Sequence, residues 1–179
     1  MTATNWARLA IVVCVGLIIQ VAILDEIVIF GAHPDIMILI VAAAGIVAGP
    51  SRGAIVGFVA GLIADLFVVT PYGLGALCFV VVGFAVGLVR SISSEQEIDA
   101  PKTTLCIVAA AIGTLLYALL GSLIGQTGMF KAAPAAIIVV ALGACVLSYP
   151  VLRVVKWALT GSVRSRSTYA VPRGGSAAG

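Results

Sequence analysis

Ionisable side chains are so few in this chain that each can be weighed for chemistry on its own. Asp65 stands inside an apolar run, 53–69. A carboxylate in hydrocarbon is costly and normally faces a partner or a watery cavity. It could therefore hold an ion or a proton, meet a buried polar group, or contact a partner helix. Hydration is the plainer alternative. Asp65 follows Arg52 by 13 residues, about 20 Å of helix, which places it in the outer half of a membrane. The reading adopted is packing or helix pairing. His33 is the sole histidine and lies beside Pro34 in a turn; a metal site needs several ligands, so it reads as a solvated loop residue. Cys14, Cys78, Cys106 and Cys145 each lie alone in apolar sequence, without metal-ligand spacing, and read as small packing residues. No nucleophile, base and orienting group can be assembled, and no glycine loop suits a phosphate. No enzyme, cofactor or metal is expected.

The glycines point elsewhere. Gly45, Gly49, Gly53, Gly57 and Gly61 recur every fourth residue, and Asp65 continues the register. Pro50 and Ser51 interrupt the series, so one helix cannot hold all of it. From Gly53 to Asp65 the spacing stacks the residues on one helix face. Small residues at that spacing let two helix backbones approach closely in lipid. Gly83 with Gly87, and Gly121 with Gly125, repeat the pattern. Helix packing, inside the bundle or against a partner, is the expected use. Gln20, Tyr117 and Gln126 could add hydrogen bonds between helices or line a pocket, with packing the favoured use.

These faces must be carried by membrane helices. Of 179 residues, 62% are apolar and 9% charged, far from the roughly 25% charged of a soluble domain. A net charge of +3, scattered, does not suit nucleic acid. Apolar runs cover 9–24, 36–48, 53–69, 74–89, 103–125 and 134–159. Between them, 31–35, 49–52, 70–73, 90–102 and 126–133 read as turns or loops. Thr103 or Thr104 suits an N-cap, Pro134 a first helical turn, and Pro150 a kink. The second and third runs are short for spans. They could be two thin spans or a re-entrant hairpin, and charge favours two spans. With the N-terminus inside, the inner segments hold Arg8, Arg52, Arg90, Lys102, Arg153, Lys156, Arg164, Arg166 and Arg173, leaving only Lys131 outside. That asymmetry predicts six helices with both ends cytoplasmic. Trp6 and Trp157 fall at run ends, as interfacial aromatics do. Arg153 and Lys156 are expected to snorkel to the cytoplasmic surface and, with the tail arginines, to attract anionic lipid. The expected organisation is an all-α, compact bundle of six transmembrane helices over 1–160, followed by a disordered basic cytoplasmic tail at 161–179. The first span is expected to stay uncleaved.

The chain also resembles the MreD family of rod shape-determining proteins. The likeness begins at Pro34-Asp35-Ile36. It continues through Gly53-Ala54-x-x-Gly57-Phe58-x-x-Gly61-Leu62-x-x-Asp65 and Pro71-x-Gly73-Leu74-x-Ala76-Leu77, and closes at Gly83 and Gly87. It covers about residues 8–160. The resemblance implies an inner-membrane scaffold, not an enzyme, in the machinery that elongates the bacterial cell wall. It would work with the bitopic protein MreC, the actin-like MreB, RodA and the transpeptidase. The family is similar in fold to the substrate-binding S-components of energy-coupling-factor transporters, so a vitamin or metal uptake subunit is the alternative. Many S-components carry an Ala-xxx-Ala pair on the first span. Here that span reads Leu9-Ala10-Ile11-Val12-Val13-Cys14, and the outer loops are poor in aromatic and polar gripping residues; both favour the scaffold.

Overall fold

The structure, a computed structural model, describes residues 3–24, 26, 34–67, 73–95, 102–123 and 129–160. These are all-helical: α1 (Ala3–Ile19) running into a π-helical turn (Gln20–Leu24), α2 (Ile36–Ala48), α3 (Pro50–Ala64), α4 (Leu74–Glu95), α5 (Lys102–Leu123) and α6 (Met129–Thr160). Among the described residues, four stretches are long and apolar enough to cross a membrane: Asn5–Leu24, Leu74–Ile92, Lys102–Leu123 and Ala136–Leu159. α2 and α3 have 13 and 15 residues, about 20 and 22 Å.

α2 is the centre of the molecule. Its sequence is apolar all round, which suits a helix enclosed by protein. Every residue from Ile36 to Ile46 is buried, and α1, α3, α4, α5 and α6 all touch it. Asp35 starts it, its Oδ1 accepting from Met37 N at 2.8 Å and Ile38 N at 3.2 Å. Two otherwise orphaned amides are thereby satisfied. Gly49 ends it at φ 86°, donating its N–H to Gly45 O at 2.9 Å. Only this glycine separates α2 from α3, because Pro50 occupies the first turn of α3, where its missing N–H costs nothing.

Several expected boundaries move. Pro50, Ser51 and Arg52 lie in α3 rather than in a polar turn. α3 stops at Ala64 and Asp65–Phe67 is a turn, so the third run is not one helix to residue 69. α4 continues to Glu95, well past the expected loop start. Thr103 and Thr104 lie inside α5, which begins at Lys102. α6 begins at Met129, so Pro134 sits inside the helix instead of opening it, and 129–133 is helical rather than loop. Pro150 lies inside α6, where the sixth run was expected to contain it. His33, Gln126 and the tail 161–179 lie outside the described residues.

α1 and α2, α3 and α4, and α1 and α6 pair antiparallel. Gly16 of α1 lies against Ile40 and Met37 of α2, and Pro50 of α3 against Gly87 of α4. Asn5 Nδ2 donates to Leu159 O at 3.1 Å, closing the start of α1 on the end of α6. The start of α1, the α2–α3 joint and the ends of α4 and α6 therefore share one end of the bundle. Arg8, Arg52, Arg90, Arg153 and Lys156 go with them. Asp35 and Asp65 lie toward the opposite end.

Candidate functional site

The α3 glycines meet α4 in strict order. Moving along α3 from its N-terminus, Gly53 lies against the backbone of Gly83, Gly57 against Phe79 and Val80, and Gly61 against Gly75 and Ala76. Each step of four on α3 is matched by about four in the opposite sense on α4. A methyl group at Gly57 would stand 2.5 Å from the Phe79 carbonyl carbon, and one at Gly61 would stand 2.7 Å from Ala76 N. These are backbone atoms, which cannot swing aside, so only glycine permits this separation. At the basic end three helices converge: a Cβ on Gly45 would reach Gly83 O at 2.5 Å, and one on Gly53 would reach Gly45 Cα at 2.7 Å. Gly87 packs equally close to Pro50, at 2.6 Å from a Cβ position to its Cα.

Asp65 closes the end of this seam away from the basic residues. It is 3% exposed. Its Oδ2 accepts from Gly73 N at 2.8 Å and Ala76 N at 3.3 Å, and its Oδ1 from Gly75 N at 3.1 Å. These amides belong to the opening turn of α4, which Gly73 enters at φ 96°. The carboxylate thus supplies hydrogen bonds that the first helical turn cannot make for itself, and its charge faces the positive end of the α4 dipole. It acts as an N-cap delivered from the preceding helix. A methyl on Gly75 would collide with Asp65 Oδ1. Gly75 is therefore part of the site, and sequence reasoning passed over it. The available signal was a second glycine two residues after Gly73.

Pro34 and Asp35 form a separate cluster. Asp35 caps α2. The Pro34 carbonyl accepts from Gln20 Nε2 at 3.1 Å, and Ile36 N donates to Gln20 Oε1 at 2.9 Å. Gln20 opens the π-helical turn and straps the lead-in of α2 to α1. Pro34 also lies against Gly143 of α6, its Cβ 2.8 Å from where a Cβ there would stand. The structure therefore brings Gly53, Gly57, Gly61, Asp65, Gly83 and Gly87 into one seam, and places Pro34 and Asp35 at the head of α2. Gly121 is buried within α5, while Gly125 lies outside the described residues.

Both carboxylates are taken up by backbone amides. Among the described residues no three His, Cys, Asp or Glu side chains group as a metal site, and the four cysteines are free thiols. The outer face of α3 remains apolar and exposed, with Ile55, Phe58, Val59 and Leu62 on it and Leu66 and Phe67 just beyond. The arrangement holds helices at fixed, close spacing and presents smooth apolar surface outward.

No curated protein and no solved structure matches the chain. The family model for rod shape-determining protein MreD matches residues 2–157, a stretch that contains the seam, the cap and the α2 lead-in. A multi-pass membrane protein built on these features, and matched over nearly its whole described length, belongs to the MreD family and serves in rod shape determination.

Proposed function

We propose that this chain is a non-enzymatic scaffold of the cell-wall elongation machinery in the bacterial inner membrane, binding a single-span partner of the MreC type. MreB, RodA and the transpeptidase belong to the same assembly. The observation that carries the reading is the use of the carboxylates. Asp65 and Asp35 are committed to helix caps, so neither is held ready for a substrate, and what the molecule offers is shape. The glycine face is consumed by α4, which moves the partner surface from that face to the exposed outer faces of the bundle.

Six crossings with both termini in the cytoplasm complete the proposal. The gathering of five basic side chains toward one end and two acids toward the other supports that orientation. The shortness of α2 does not oppose it. A helix enclosed on all sides by protein is not held to bilayer thickness, since other helices rather than lipid satisfy its surroundings.

Purification from native membranes, with identification of what accompanies the protein, tests the reading. A scaffold brings down a single-span partner. Recovery with ATPase modules, together with thermal stabilisation by a vitamin, would instead make it a transport subunit.

A further inference from the structure

We infer that the seam between the start of α1 and the end of α6 binds the phosphate of an anionic phospholipid. Three observations converge there. The Arg8 guanidinium lies over the Trp157 ring, 5.2 Å from its centre. A guanidinium held over an aromatic face keeps N–H donors to spare, and these can take a phosphate by two parallel hydrogen bonds.

Arg153 stands one helical turn from Trp157, about 6 Å along α6, and is exposed. Its Nη1 donates to Tyr149 OH at 3.4 Å, one turn farther from the basic end. The reason is helical: side chains lean toward their helix's N-terminus, and α6 runs toward the basic end, so Arg153 leans away from that end, along the apolar flank of α6. A lipid-exposed cation held there is costly without a counter-charge. Neither α1 nor α6 contains any acid that could supply one. A lipid phosphate drawn to the seam does so, and Lys156, on the same face of α6, adds to the attraction.

The third observation is what lies deeper. Beyond Tyr149 the same face of α6 continues as Val146, 75% exposed, and α1 offers Ile11, 61% exposed. A charged head with an apolar track leading inward fits a phospholipid and not a free phosphate. The Asn5 bond to Leu159 O fixes the two helices together at this level, so the site is built into the fold. It does not depend on which partner the scaffold binds.

The test uses the full chain carrying Trp6→Phe, so that Trp157 alone reports, in phosphatidylcholine vesicles containing brominated phosphatidylglycerol. Trp157 should reach half-quenching at a several-fold lower mole fraction of brominated phosphatidylglycerol than of brominated phosphatidylcholine. Arg153→Gln and Arg8→Gln should each erode that preference by about fivefold, the size expected for one basic residue at an anionic surface. Arg52→Gln removes the same charge from the α2–α3 joint and should leave the preference intact. Equal quenching by the two lipids in the parent would overturn the inference. So would an Arg52→Gln effect as large as that of Arg153→Gln, which would mean diffuse surface charge. Excess inorganic phosphate should not relieve the quenching; relief would overturn the assignment to lipid.

Discussion

The Asp65 carboxylate accepts the Gly75 amide hydrogen at 3.1 Å, in the space that a side chain on Gly75 would need. The acid and the missing side chain are two halves of one contact. Asp65→Ala should lower stability by about 2–4 kcal/mol, because it strands buried amides of α4. Gly75→Ala should act through the same contact. The double variant should cost less than the two single costs added together. Thermal unfolding in detergent, compared across the three variants, checks this; simple additivity would separate the two residues.

The seam and the α2–α3 joint use glycine for different reasons. Gly49 needs its positive φ of 86° but has open space around its Cβ position. Gly49→Ala should therefore cost about 1–3 kcal/mol, the backbone penalty alone. Gly57→Ala should cost more, because a methyl there meets the Phe79 backbone, and Gly57→Ile with Gly61→Ile should prevent folding. Phe58→Ala, on the exposed face of the same helix, should change stability by no more than about 0.5 kcal/mol. Membrane yield and melting midpoint of this series give the ranking.

Gln20 bridges two helices with both ends of its amide. Gln20→Ala should cost about 1–3 kcal/mol by leaving Pro34 O and Ile36 N without that partner. Hydrogen exchange at the Ile36 amide should accelerate before exchange within 38–46 does. Uniform acceleration along α2 would mean that the strap does not act locally.

Sidedness can be read by chemistry. In a background without native cysteines, Ser51→Cys and Ser91→Cys should react with a membrane-impermeant maleimide only when the cytoplasmic face is open. Glu26→Cys should react from the outside. Labelling of all three from one side would sink the six-crossing topology.

The Gly53–Gly57–Gly61–Asp65 stripe was legible in the sequence because spacing of four has one geometric meaning on a helix. The head of α2 was legible too, since Pro34-Asp35 before an apolar run is a local signal. What lay beyond sequence reading was long-range. Asp65 caps a helix that begins nine residues later, and no local capping pattern describes that. α3 starts at Pro50, three residues before the expected Gly53, because proline reads equally as a turn residue and as the first residue of a helix. Pro134 failed in the opposite way, standing inside α6. The identity of the glycine face's partner, α4, required knowing which helices pair.

The single glycine between α2 and α3 also constrains biogenesis. α2, enclosed by five helices, lacks most of its packing until those helices arrive. Its joint with α3 is completed when α4 supplies the matching glycines. α6, emerging last, locks the nascent assembly by bringing Leu159 back to Asn5, so that the two extremities of the helical domain meet in a final clasp.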